Sequence, residues 1–309
     1  MTTPIHHVTV VTVTDQKRPW LITGASGFLG SNAPRYLSSN IGLLSATRAD
    51  EALSGYAGSV ALDLTDVTAS EVTIRKARPD VIVHSAALAN HEQCENDPAL
   101  AHLVNAEATG QLAAIAESIG ARFVYISTDA VFDGSQGNYS EIDQVSPFSI
   151  YGETKLAGET AALAETNALV IRTNFFGWSP SGTRSILEFF VNNLTNGLPV
   201  NGYTDFTVTS IYVGDLLERI ELLVASGETG VFHLASRDAL SKFDFGVDVA
   251  ETFNLDASLI SPQSAAAGTH GTSRVRNLSL STDRIAQALD HPMPSQHEGI
   301  MRARAERSA

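Results

Sequence analysis

The chain has 309 residues and a formal net charge of −14, with 43% of its residues hydrophobic and 17% charged. That is enough for one large domain, or two closely joined ones, with a substantial core. The lack of any basic cluster argues against nucleic acid, whose phosphates need grouped Lys and Arg. No apolar run reaches the roughly eighteen residues of a membrane span. The single cysteine, Cys94, rules out an internal disulfide and fits a reducing cytoplasm. It reads as a spectator thiol, because no metal-ligand spacing surrounds it, and no metal site is expected.

Residues 1–18 read as an N-terminal extension in which His6 to Thr14 alternate like a strand, without the order of a signal peptide. Trp20-Leu21-Ile22-Thr23 is a short apolar run suited to a buried parallel strand. It leads into Gly24-Ala25-Ser26-Gly27-Phe28-Leu29-Gly30 and a helix-like stretch to Leu37. Glycines at this spacing permit a tight turn, close approach of backbone to a pyrophosphate, and close packing of helix on strand. The helix N-terminus adds free amides for the phosphates. Between a strand and a helix, this turn points to a dinucleotide.

A second strand is expected over 41–47, followed by Arg48, which lies 21 positions after Gly27. An acidic residue near that point suits the ribose of NAD, whereas Arg suits the 2′-phosphate of NADP. The pattern favours NADP(H) and leaves NAD(H) open, with Asp50 or Glu51 reaching the ribose as the competing arrangement. A third strand, 59–62, ends at Asp63-Leu64, whose Asp would touch the adenine or cap the next helix. Helix 68–77 leads to the buried strand Pro79 to His84 and then Ser85-Ala86-Ala87, small residues against which a cofactor can lie.

A long helical pattern over 98–119 carries Asn105 near its middle. The fifth strand, 122–126, ends in Ser127-Thr128-Asp129, at the carboxyl edge where ligands sit in open α/β sheets. A hydroxyl there can hold a substrate carbonyl, although Thr128 also suits a turn or helix cap. After a turn-rich loop, a helix to about Thr166 carries Tyr151 and Lys155, four positions apart and therefore on one face. An ammonium beside a phenol favours the phenolate, so Lys155 is expected to lower the pKa of Tyr151 and make it a general acid or base.

Strand 168–172 closes the regular βα alternation. Helices are then expected over 183–197 and 213–225, short strands over 199–211 and 230–234, and helices and loops beyond. The fold class is α/β: a Rossmann-type doubly wound parallel sheet with helices on both faces and a smaller C-terminal α/β substrate lobe. The dinucleotide domain is expected over 19–173. The lobe is expected over 174–309, with some of its strands and helices returning to the first domain.

These stretches together resemble an extended short-chain dehydrogenase/reductase, most closely the dTDP-4-dehydrorhamnose reductase family. The likeness rests on Thr23 to Gly30, Pro79 to Ala87, Ser127-Thr128-Asp129-Ala130-Val131-Phe132-Asp133-Gly134, and Tyr151-Gly152-Glu153-Thr154-Lys155-Leu156-Ala157-Gly158-Glu159. It covers roughly residues 20 to 290. It implies a catalytic Thr128, Tyr151 and Lys155, cofactor glycines at Gly24, Gly27 and Gly30, and a cytoplasmic reductase of a nucleotide-linked deoxysugar. Asn105, Asp129, Asn174, Arg184 and Arg274 are candidates for the sugar and diphosphate, with Lys242 and Arg276 as further cations. Ala130 stands where the family usually has Tyr, His84 where it often has Asn, and Arg274-Val-Arg276-Asn277 replaces Arg-Pro-x-Asn, so the substrate is less defined than the chemistry. NAD-dependent epimerases or dehydratases share the scaffold, as does the non-catalytic regulatory subunit of methionine adenosyltransferase. Ala130 in place of Glu weighs against dehydration. A homodimer stays open.

Overall fold

The computed structural model describes residues 19–49, 51–265 and 276–307; the strand-like N-terminal stretch, Asp50 and Arg274 lie outside them. Seven short strands build one sheet: β1 (Trp20–Thr23), β2 (Leu43–Thr47), β3 (Gly58–Ala61), β4 (Val81–His84), β5 (Arg122–Ile126), β6 (Ala168–Arg172) and β7 (Gly230–His233). They lie in the order β7-β6-β5-β4-β1-β2-β3. Every neighbouring pair is parallel. Both faces of such a sheet are covered by helices, which is why β1, β4 and β6 are buried at every position.

Successive side chains alternate between two cores. Ile22, Val83, Val124 and Leu169 pack on one face with helices Phe28–Tyr36 and Val213–Ala225. Leu21, Ile82, Phe123 and Val170 pack on the other with helices Val67–Ala77 and Ala108–Ile119. Strand order reverses between β1 and β4, and crevices for ligands open at such a switch point, outside the carboxyl ends of the strands.

The strand expected at 230–234 is the edge strand of this main sheet, beside β6. The helical pattern at 98–119 is helix Pro98–His102, a π-helical turn Leu103–Glu107 and helix Ala108–Ile119. The helix carrying Tyr151 and Lys155 spans Ile150–Ala162, started by Ser149, whose side chain accepts from the Gly152 N–H. Beyond β6, strand Val200–Tyr203 pairs with Ile260–Gln263, and Phe206–Val208 pairs with Leu240–Ser241 and Arg276–Asn277. The strands after 255 were not legible as such, because two to four residues are too few to show alternation. Among the described residues no helix is long and apolar enough to cross a membrane.

Helix Ile150–Ala162 is seated by glycine. A Cβ on Gly158 would stand 2.3 Å from the Asn105 carbonyl oxygen and 2.4 Å from the Tyr125 hydroxyl. Gly158→Ala is therefore expected to destabilise the protein by about 1–3 kcal/mol, the usual scale of overpacking, and thermal unfolding measures it.

Candidate active site

At the carboxyl end of β1 the chain turns through Gly24, whose φ is +68°, a conformation that glycine adopts without strain. A Cβ there would lie 2.9 Å from Ala86 Cα, so the turn rests directly on the end of β4. The Ser85 hydroxyl donates to the Thr23 carbonyl at 2.7 Å and closes the same contact. The Gly27 N–H returns to the Gly24 carbonyl at 2.8 Å. Helix Phe28–Tyr36 then begins with Gly27 at its N-cap and no side-chain cap. Its first amides have no side-chain acceptor, an arrangement that suits an anion.

A cavity of about 1570 Å³ opens above this turn, lined by Gly24, Ser26, Gly27, Phe28 and Leu29, then by Ala86 and Ala87, with Arg48 at its β2 end. Gly30 does not line it; a Cβ there would meet the Gly24 carbonyl at 2.5 Å, so its part is to let helix pack on turn. Asp63 and Leu64 do not line it either. Asp63 is closed into a turn, accepting from the Thr65 N–H at 2.9 Å and the Thr65 hydroxyl at 2.7 Å. Those bonds, with a smaller contribution from nearby Arg48, hold its carboxyl below the ordinary range. Leu64 packs against the core between the sheet and its helices.

The same cavity contains Thr128, Tyr151 and Lys155. Thr128 is a cap after all: its oxygen accepts from the Ala130 N–H at 3.2 Å, and its hydroxyl donates to Asp129 at 3.0 Å. Tyr151 lies against the His91 ring at 4.7 Å between centroids. Burial, and then the Asp129 carboxylate, push the Tyr151 phenol well above its ordinary value, with Thr128 opposing. The expected lowering by Lys155 is therefore corrected. The Lys155 ammonium donates to the Ile126 carbonyl at 2.7 Å and sits 4.0 Å over the Tyr125 ring. Burial brings it down to about 7, with Glu159 opposing.

Asp129 and Asn174 also line the cavity and are bonded to each other, the Asn174 amide donating at 2.9 Å while its oxygen accepts from Ser210 at 2.7 Å. Burial raises Asp129 to about 6, against the bonds from Asn174 and Thr128. Arg184 lines the cavity from an exposed position, and Lys242 lines it with its ammonium 4.0 Å over the Phe206 ring.

Asn105 is not brought to the site. Its oxygen accepts from the Leu88 N–H at 2.8 Å, and its amide donates to the Leu88 carbonyl at 3.1 Å and to Thr154 at 3.1 Å. Only 1% exposed, it clamps the backbone beneath the site. Arg276 is likewise turned away, stacked 3.4 Å over Phe148 and donating to the Asp133 carbonyl. Cys94 is buried, its thiol 3.2 Å from the Leu88 carbonyl and raised by burial.

His91, Phe148, Tyr203 and Ser210 line the cavity without any motif having marked them. Beneath it, Glu159 accepts two bonds from the Arg172 Nε and one at 2.7 Å from its Nη2, and a further bond at 2.5 Å from Ser127. These ties join the Tyr151 helix to the ends of β5 and β6. Among the described residues no cluster of His, Cys, Asp or Glu could hold a metal ion.

The description "RmlD substrate binding domain" belongs to a family model that matches residues 18–308. A Haloferax volcanii protein described as the probable low-salt glycan biosynthesis reductase Agl14 is 29% identical over 284 residues, covering 90% of this chain and 95% of its own. The dTDP-4-dehydrorhamnose reductase of Mycobacterium tuberculosis is 34% identical over 256 residues, covering 80% and 79%. The crystal structure of dTDP-4-dehydrorhamnose reductase from Bacillus anthracis in complex with NADP shares the fold at a TM-score of 0.85 and 24% identity, covering 94% of this chain and all of that one. The family model thus spans nearly the whole length that holds the glycine turn, the Thr128, Tyr151 and Lys155 cavity and the lobe, and the chain belongs to the RmlD substrate-binding-domain family.

Proposed function

We propose that this protein is an NADP(H)-dependent reductase of a keto group on a dTDP-linked deoxysugar, with NAD(H) as the less favoured nucleotide. The observation that carries this is the single cavity joining the uncapped helix behind Gly24, the cation of Arg48, and Tyr151 beside Thr128. The reductases to which the chain is similar add the substrate class, and the relation to an NADP-bound fold adds the nucleotide.

The dinucleotide, when bound, supplies the hydride. Gly24, Ser26 and Gly27 with the first amides of the following helix hold its diphosphate, and Arg48 reads a 2′-phosphate. Tyr151 keeps its proton at working pH because burial and Asp129 disfavour the phenolate, so it serves as the acid that protonates the developing alkoxide. Thr128 orients the substrate carbonyl by turning its hydroxyl away from Asp129. Lys155 spends one N–H on Ile126 and has two left for a ribose hydroxyl. Arg184 and Lys242 face the substrate diphosphate, while Asp129 and Asn174 face the sugar.

Among the described residues Asp129 is the only carboxylate lining the cavity, which favours reduction over dehydration. The trio within a shared cavity favours turnover over a purely regulatory subunit.

Turnover is measured with NADPH and a panel of dTDP-linked 4-keto-6-deoxysugars. Tyr151→Phe should leave NADPH affinity nearly unchanged and lower kcat by about 100-fold or more; near-normal turnover removes Tyr151 from the mechanism. Arg48→Ala should weaken NADPH far more than NADH in a direct binding titration, and equal losses would show that Arg48 does not read the 2′-phosphate.

A further inference from the structure

His84 ends β4 with its side chain completely buried. Both of its ring nitrogens are bonded: Nδ1 stands 2.8 Å from the Thr23 hydroxyl oxygen, and Nε2 stands 3.2 Å from that of Thr109. Each partner has a second bond. The Thr23 oxygen accepts from the Ala86 N–H at 3.2 Å, and the Thr109 hydroxyl donates to the Asn105 carbonyl at 2.8 Å.

These bonds fix where every proton sits. A threonine hydroxyl has one hydrogen to give and two lone pairs. Thr109 gives its hydrogen to Asn105, so its oxygen accepts from His84, and Nε2 carries the ring proton. Burial, and then the Lys155 ammonium, keep the imidazole neutral, and a neutral imidazole has a single N–H. Nδ1 is therefore an acceptor, and the Thr23 hydroxyl donates to it while receiving the Ala86 amide. Donation runs one way along the chain, from Ala86 through Thr23, His84 and Thr109 to Asn105.

Its two ends serve different parts of the site. Ala86 lines the cavity where the Gly24 turn rests on the end of β4. Asn105 belongs to the π-helical turn Leu103–Glu107, a kind of turn frequent at functional sites. Its side chain holds Thr154, whose hydroxyl donates to the Tyr151 carbonyl at 3.0 Å. One nitrogen of His84 thus supports the floor beneath the dinucleotide, and the other supports the seat of the Tyr151 helix.

We propose that His84, as its Nε2–H tautomer, is a positioning residue that fixes the nucleotide floor at Ala86 relative to the helix carrying Tyr151, so that hydride donor and acid meet the same carbonyl. The chain of bonds carries position, and no proton has to move along it during turnover. This assignment rests on the dinucleotide reading of the cavity.

Nitrogen NMR of the wild-type protein should show His84 protonated on Nε2 and bare on Nδ1. Two substitutions then cut the chain on opposite sides. An asparagine amide reaches about as far as Nδ1 and a glutamine amide about as far as Nε2, so His84→Asn keeps an acceptor for Thr23 and loses Thr109, whereas His84→Gln keeps a donor for Thr109 and loses Thr23. In direct titration and in turnover of the dTDP-linked ketosugar panel, His84→Asn should hold NADPH affinity near wild type and lower kcat at saturating NADPH about tenfold. His84→Gln should do the reverse, weakening NADPH about tenfold and holding kcat near wild type. A ring protonated on Nδ1, or any other pattern in the two variants, would overturn the assignment and leave the cofactor reading intact. A wild-type protein that binds no NADPH, or binds it and reduces none of the panel, would overturn the reductase reading and the assignment with it.

Discussion

The site depends on how closely one helix is pressed onto the carboxyl edge of the sheet. A Cβ on Gly152 would meet the Ala130 carbonyl at 2.3 Å, and one on Gly158 would meet the Asn105 carbonyl at the same distance. With no side chain at either position, helix Ile150–Ala162 settles over β5 and its π-helical neighbour, and the Lys155 ammonium reaches the Ile126 carbonyl. Glu159, one turn further on, is buried with Arg172 in a multiply bonded pair that Ser127 completes. A buried pair of this kind has a large desolvation cost and is tolerated when its bonds are satisfied, so it adds definition of position more than stability. It sets the helix, β5 and β6 relative to each other, and with them Tyr151 and Thr128.

Burial also decides the electrostatics. Tyr151, Lys155 and Asp129 each move toward the neutral form, the phenol well upward, the amine down to about 7 and the carboxyl up to about 6. Desolvation is the largest cause in all three, and direct charge–charge effects only modify it. His84 follows the same rule: fully buried between Thr23 and Thr109 and stacked near Tyr125, it is brought down to about 3 by burial and then by Lys155. It therefore serves as a neutral polar spacer beneath the site.

Much of the fold was legible in order. Parallel strands covered on both faces read as apolar runs, so β1, β4, β5 and β6 stand out in the chain. The glycine turn was legible because close approach and positive φ leave few alternatives to glycine. The lobe was read less well: its strands are two to four residues long, and their pairing joins segments far apart in the chain. For the site, Thr128, Tyr151, Lys155, Asp129, Asn174, Arg48 and Arg184 do line one cavity, whereas Asn105, Asp63, Leu64 and Arg276 are occupied elsewhere.

By itself the sequence determined the order of strands and helices as far as β6, the place of the phosphate turn, and the pairing of Tyr151 with Lys155 on one helix face. These are local properties, set by side-chain periodicity and by backbone conformations that few residues adopt. Tertiary structure alone decided the rest. It placed β7 in the main sheet, turned Asn105 inward as a backbone clamp, and buried Glu159 against Arg172 and Ser127 beneath the site. It also reversed the expected shift of Tyr151, because desolvation depends on what surrounds a group in space, and spacing along the chain carries no record of that.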